Sequence, residues 1–326
     1  MRKAKVAFLE AAKAASLFEV ARTQTRRDVR ILCYHGVWMG NGVFKGDSMF
    51  ILPSTFERRL DRLRELRYPV VTLHEATVAL REGLPLPDCA TVITIDDGWY
   101  STAAYMVPAL VSRSMPATVY CDTANLLAGT PIWHVMAAYL PLIAGNASLE
   151  VEAQERLRHA TNLTTSVVIR ERATRELGDL LGVDVQALVE NRAFSYMTSD
   201  ELKHMYEGGV VDVQLHTHSH SLHDLSRDAV DRELEQNVRV LGEVLGISDS
   251  HFRHFCYPSG VSSVQAERAL AAREVLGSTT TSPGLASIRG NMQAIPRFLD
   301  GDNVSPIEFE AELSGFMPLV RRFFGV

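Results

Sequence analysis

Seven short runs of the chain constrain its fold more than anything else: Arg30–His35, Tyr68–Leu73, Thr91–Asp96, Pro116–Asp122, Val210–Leu215, His254–Tyr257 and Val275–Thr279. Each is four to seven residues long and rich in Val, Ile, Thr or aromatic residues. Most are apolar at successive positions rather than alternate ones. A strand apolar on both faces has to be covered on both, which is the condition of a parallel sheet clad in helices. Helical patterns fall between the runs. Thr55–Leu66, Thr102–Ser112, Ser199–Glu207, Ser226–Leu245 and Ser263–Arg273 carry apolar stripes of helical period and open on Ser or Thr caps. Ser199–Glu207 stops at the pair Gly208–Gly209, a helix-ending signal. Strand–helix alternation with short connections predicts an α/β fold, and about seven units favour a barrel over an open sheet.

Between Asp122 and Ser195 the rhythm changes to mostly helical sequence, with a charged stretch around Glu150–Arg175. The organisation expected is therefore a basic amphipathic helix over 1–27, a single catalytic domain over 28–315 with a helical insertion at about 123–198, and a tail at 316–326. The 326 residues, 46% hydrophobic and 22% charged, suffice for a sizeable core. A net charge of −6 gives no basic excess for nucleic acid. Cys33, Cys89, Cys121 and Cys256 are widely spaced, which reads as buried reduced thiols rather than a metal cluster. No apolar run approaches the roughly 18 residues of a membrane span. Glu10, Lys13 and Glu19 break up the N-terminal apolar residues, against a signal peptide. A cytoplasmic protein is expected. Docking on the domain is the first reading of its basic N-terminal helix and its aromatic, basic C-terminus (GFMPLVRRFFGV), and peripheral contact with the inner membrane face the second. Nothing in the pattern fixes an oligomeric state.

Three strand ends carry chemistry. TVITIDDG (Thr91–Gly98) runs a buried strand into two adjacent carboxylates and a glycine. Catalytic groups collect at such carboxyl edges, and paired carboxylates need a cation or a shared proton. Adjacent side chains diverge in extended chain, so one can bind a metal while the other faces a reacting water. An ordinary Asp-Gly turn is the plain alternative. QLHTHSHSLHDLS (Gln214–Ser226) sets His216, His218, His220 and His223 within eight residues. Two imidazoles and a carboxylate make a catalytic metal site with open positions, whereas a solvated polar loop would need none. HFCYPSG (His254–Gly260) ends in a turn whose N–H groups can face an oxyanion, though a plain turn explains it equally.

The order RILCYHGV, TVITIDDG, PATVYCD, HTHSH, CYPSG, IPRF resembles the polysaccharide deacetylases with a NodB homology domain, over roughly Arg30 to Glu310. The resemblance implies a distorted (β/α)7-type barrel. It implies a hydrolase that removes N-acetyl groups from an amino sugar, in a glycan, a lipid-linked sugar or a nucleotide sugar. It assigns the base to Asp96 and metal ligation to Asp97, His216 and His220, with His218 outside the set. The cofactor implied is a divalent metal, zinc first, with Co2+, Ni2+, Mn2+ or Fe2+ as other candidates.

The chain departs from the family pattern twice. Where the family has R-x-P-Y, it has Cys256-Tyr257-Pro258-Ser259. The oxyanion and substrate role falls to Tyr257 and Ser259, with the Ser259 N–H as donor, and Arg297 is nominated for the vacant arginine. The late histidine that serves many members as general acid is also missing. His35, in a Tyr-His pair used by some exopolysaccharide-processing relatives, is nominated instead, against a scaffold role. Trp99, beside the aspartates, is a candidate to stack on a sugar or to pack in the core. An amidase acting on a non-sugar C–N bond, or a glycan-binding relative without catalysis, is the competing reading.

Overall fold

The computed structural model describes residues 2–40, 46–145, 149–162, 165–222 and 226–324. His223 of the histidine run lies outside them. Most of the runs that are apolar on both faces do form parallel strands: β1 (Arg30–Tyr34), β4 (Thr91–Ile95), β5 (Ala117–Cys121), β6 (Val211–Leu215), β7 (His254–Cys256) and β8 (Gly277–Thr279). Two two-residue strands, β2 (Gly36–Val37) and β3 (Phe50–Ile51), pair with each other. The last strand, β9 (Phe298–Leu299), completes a seven-stranded sheet of order β8-β7-β6-β5-β4-β1-β9. Every pairing in it is parallel. The sheet curls into a half-barrel. Ile295 bridges to Thr279 on β8, and a few residues later β9 pairs with β1, so one short segment spans the two ends of the curl.

Helices Pro53–Glu65, Ser199–Glu207, Arg227–Leu245 and Val264–Ala272 cover the sheet close to where periodicity puts them. Thr198, Ser226 and Ser263 accept the N-terminal N–H bonds of the last three. Thr102–Ser112 begins as a π turn, Thr102–Met106, before becoming an α-helix. Tyr68–Leu73 is the one misread strand. Only Val70 pairs, in a single bridge to Thr91, because Thr72 and Glu75 form a capping box that starts the helix Leu73–Glu82.

The stretch between β5 and β6 holds the helices Thr123–Ala128, Trp133–Ile143, Val151–Thr161, Val167–Leu181 and Val185–Glu190, called the insertion below. It builds a second core that takes in Trp38, Phe50 and Trp99 from the barrel's rim. Phe50 lies 4.8 Å from Trp99 and 5.5 Å from Phe194 between ring centroids, and Trp38 stacks on Tyr139. At about 0.5–1.5 kcal/mol per aromatic pair, this cluster fixes the insertion to the edge where the chemistry sits. The 1–27 segment forms two helices, Arg2–Ala14 and Leu17–Gln24, and the tail is a helix too, Phe316–Phe324. They meet through Phe18 and Phe316, 5.3 Å apart. No helix among the described residues is long and apolar enough to cross a membrane. The four cysteines are buried and free.

Candidate metal centre and active site

Asp96 and Asp97 follow β4 directly, and the chain turns so sharply there that their carboxylates part. Asp97 is left-handed at φ 72°, as is Gly98 at φ 71°. A Cβ on Gly98 would sit 2.6 Å from Cys121 Sγ, so both conformation and space demand glycine. Thr217 (φ 66°), His220 (φ 54°) and Ser259 (φ 57°) are left-handed as well. Each such residue costs of order 1 kcal/mol or more, and their gathering at one sheet edge marks it as a place shaped for chemistry.

Asp97 Oδ1 stands 3.1 Å from His216 Nε2 and 3.1 Å from His220 Nε2. The three ligand atoms lie within 4.8 Å of one another. His216 Nδ1 donates to the Cys256 carbonyl at 2.9 Å. In a neutral imidazole that leaves a lone pair on Nε2, facing a carboxylate oxygen that carries only lone pairs. Acceptors so opposed need a cation among them or extra protons on the rings. Two imidazoles and one carboxylate with an anchored tautomer form a donor set that fits a divalent metal. Burial alone would raise the Asp97 pKa. The charge of His220 and the hydrogen bonds from His216 and His220 reverse this and hold it well below the usual carboxylate range.

Asp96 faces the other way. Arg297 grips it through two 2.7 Å bonds, Nη1 to Oδ1 and Nη2 to Oδ2. The same guanidinium donates to the Thr280 carbonyl and Thr94 Oγ1, both at 2.9 Å, and its Nη2 lies 3.1 Å from Cys256 Sγ. Arg297 is wholly buried. Burial pushes Asp96 up, but the charge and hydrogen bonds of Arg297, with lesser help from His35, bring it down to about 2. Cys33 and Cys256 each place a thiol 3.5 Å from Asp96 Oδ2. His35 Nε2 lies 4.0 Å from the same oxygen, and its buried Nδ1 has no partner among the described residues.

The other expected residues are placed differently. His218 turns away to Thr123 Oγ1, at 2.8 Å. Tyr257 is 1% exposed, its N–H donates to the Thr279 carbonyl and its hydroxyl to the Gln293 carbonyl, so the sheet and core already occupy it. Ser259 is exposed at the turn after β7. Trp99 is 2% exposed and stands in the aromatic core, so no ring face is free to stack on a sugar. Two further residues stand near the centre without having been candidates. Asn237, buried on the helix Arg227–Leu245, accepts from the His216 N–H at 2.9 Å and donates to the Cys121 carbonyl at 3.0 Å. An isolated Asn on an apolar helical stripe was the available signal. Asp122, at the end of β5, has one buried oxygen without a partner among the described residues, and burial, opposed by His220, raises its pKa to about 6.

Solved structures share this architecture. A Streptococcus pyogenes deacetylase, PplD in complex with acetate, aligns with a TM-score of 0.59 and 18% identity, over 88% of this chain and 98% of its own. IcaB from Ammonifex degensii aligns at 0.57 and 19%, over 89% and 97%. A de-N-acetylase from Aggregatibacter actinomycetemcomitans aligns at 0.56 and 13%, over 87% and 99%. A search of curated protein sequences found no match. Residues 85–277, more than half of the chain and containing both the aspartate pair and the histidine run, match the family described as polysaccharide deacetylase. The chain belongs to the polysaccharide deacetylase family.

Proposed function

We propose that this protein is a metal-dependent N-deacetylase that hydrolyses the acetamide of an amino sugar in a glycan or glycan precursor. The observation carrying the reading is the division of labour at one sheet edge: Asp97 between two imidazoles, and Asp96 beside it on a buried arginine. A divalent cation held by Asp97, His216 and His220, with zinc the best fit to that donor set, would acidify water toward a pKa of about 7 and polarise the acetamide carbonyl. Arg297 keeps Asp96 ionised and aimed across the working pH range. A carboxylate held at about 2 is a weak base, so it suits a water already acidified and no other. Asp96 takes the water proton as the new C–O bond forms. The Ser259 N–H is the candidate donor to the tetrahedral oxyanion, a contact typically worth about 3–4 kcal/mol. His35 delivers a proton to the leaving nitrogen as the C–N bond breaks, giving acetate and a free amine.

The test is acetate release from a panel of N-acetylated sugars and oligosaccharides by metal-reconstituted protein, with Asp96→Asn and His216→Ala alongside. Release that both substitutions abolish supports the reading. Stoichiometric metal without release points to a different amide or to glycan binding alone, and failure to bind metal removes the basis of the proposal.

A further inference from the structure

The helical insertion reaches the reaction centre through a short ribbon. Ser195 accepts from the Tyr100 N–H at 2.8 Å, and the Met197 N–H donates to Gly98 at 3.0 Å. Trp99 and Tyr196 therefore form an antiparallel bridge directly after the aspartate pair. On its other side the ribbon bridges Pro131 to Ser195, and Ile132 donates to Phe194. His134 follows on the first turn of the helix Trp133–Ile143. The helix Val167–Leu181 docks there through Thr174, whose hydroxyl lies 3.3 Å from the Trp133 carbonyl. Arg170 is one turn before Thr174 on the same face. These contacts set His134, Arg170 and Tyr196 of the insertion on the side that adjoins the ribbon after Asp97, where His134 and Tyr196 feel the charges of both Arg170 and Asp97.

Electrostatics fits this placement. Tyr196 feels the charges of Asp122, Asp97 and Arg170. Burial, then the charges of Arg170 and His220, push His134 down to about 4, so at neutral pH it offers hydrogen bonds and no charge. Arg170 is half-buried, its Nε is buried without a hydrogen-bond partner, and it has no ion pair among the described residues. The chain satisfies its more deeply buried arginines: Arg59 pairs with Asp300, Arg297 with Asp96, and Arg30 with backbone carbonyls and a threonine. On the same helix Glu171 pairs with Arg175, and Glu176 with Arg156. A partly desolvated guanidinium without an ion pair among the described residues, on the side of the insertion that adjoins the ribbon after Asp97, is suited to a planar anion.

Resting on the deacetylase reading, we propose that Arg170, with His134 and Tyr196, forms a subsite for an anionic group, and that the substrate is an N-acetylated saccharide carrying a carboxylate or phosphate near the scissile acetamide. Binding tests this apart from turnover. Metal-loaded protein is titrated calorimetrically with diacetylchitobiose (neutral), a hyaluronan tetrasaccharide (carboxylate) and N-acetylglucosamine 1-phosphate. An acidic probe should bind more tightly than the neutral one, and which of them does identifies the anion. Arg170→Gln should cut that preference about tenfold or more, and Arg170→Lys should restore part of it. In the wild type the preference should also shrink as salt is raised, a readout that needs no variant to fold. Equal affinity for all three probes, including none, overturns the proposal, as does a preference that survives Arg170→Gln. Failure of acetate release alongside a salt-sensitive, Arg170-dependent preference would instead count against the deacetylase reading.

Discussion

Replacing Arg297 with Met tests the pairing on which the proposed chemistry depends. The substitution keeps the apolar stem and deletes a guanidinium that makes two 2.7 Å bonds to Asp96. Asp96 is left 3% exposed with no cation in contact, since His35 is 4.0 Å away. Breaking a buried pair by removing one partner costs about 3–5 kcal/mol, because the orphaned charge stays buried. On a chain of this size that lowers the melting midpoint by on the order of 4–7 °C. The pH dependence follows from the sign of the shift. In the wild type Asp96 is held at about 2, below its unfolded value of about 3.9, so its contribution is complete above pH 4 and is lost as pH falls through 2. In the variant only the weaker influence of His35 and His216 opposes burial, and the folded value rises above the unfolded one. The penalty is then full at neutral pH and fades on acidification as the carboxylate protonates. Urea unfolding at pH 7 and pH 4.5 should show the gap between the two proteins narrowing. Adding Asp96→Asn to the variant should restore part of the stability at pH 7. A cost under about 1 kcal/mol, or a gap independent of pH, would refute the reasoning.

Three further outcomes are expected. Asn237→Leu removes the acceptor that fixes the His216 backbone, and should weaken zinc binding about 10- to 100-fold in a competition titration, with the fold retained by circular dichroism. Burial, with His74 3.3 Å away, pushes His254 down to about 3, well below its unfolded value near 6.5. Its stabilisation is therefore present above pH 6.5 and lost as pH falls toward 3, roughly 2–3 kcal/mol by pH 4.5, and His254→Gln should flatten that part of the curve in urea titrations. The C-terminal helix buries none of its residues and leaves Phe323 and Phe324 81% and 76% exposed, beside exposed Arg322 and the exposed Leu17 and Val20. Vesicles containing phosphatidylglycerol should sediment the protein, neutral vesicles should not, and Phe323→Asp with Phe324→Asp should abolish the difference.

Much of this was legible because the barrel strands are buried on both faces and short, and such runs have few other structural uses. Tyr68–Leu73 is not a strand despite its β-rich composition, because the Thr72–Glu75 box, a local signal, satisfies two backbone N–H groups at the helix start at once. β9 was invisible, two residues being too few to show a period. The gathering of Asp97, His216 and His220 at one place was legible because they sit in two dense motifs. The subsite proposed at His134, Arg170 and Tyr196 was not, because its residues are scattered through the insertion and come near one another only after its helices have packed.

Arg297 stands between these cases. The family pattern puts an arginine where this chain has Cys256, and no periodicity points to a substitute. What points to one is the vacancy in that pattern: the resemblance implies an arginine that orients the base, and Arg297 is nominated in its place. The structure shows how the exchange is accommodated. The Arg297 side chain enters just before β9, from the segment that bridges β8 to β1, and crosses the barrel to Asp96. It passes within 3.1 Å of the Cys256 thiol, where an arginine side chain would collide with it. The small residue at 256 and the arginine at 297 are thus two halves of one solution, and a second guanidinium there would add only repulsion. The requirement is fixed in space, at one carboxylate, and leaves open which strand end meets it.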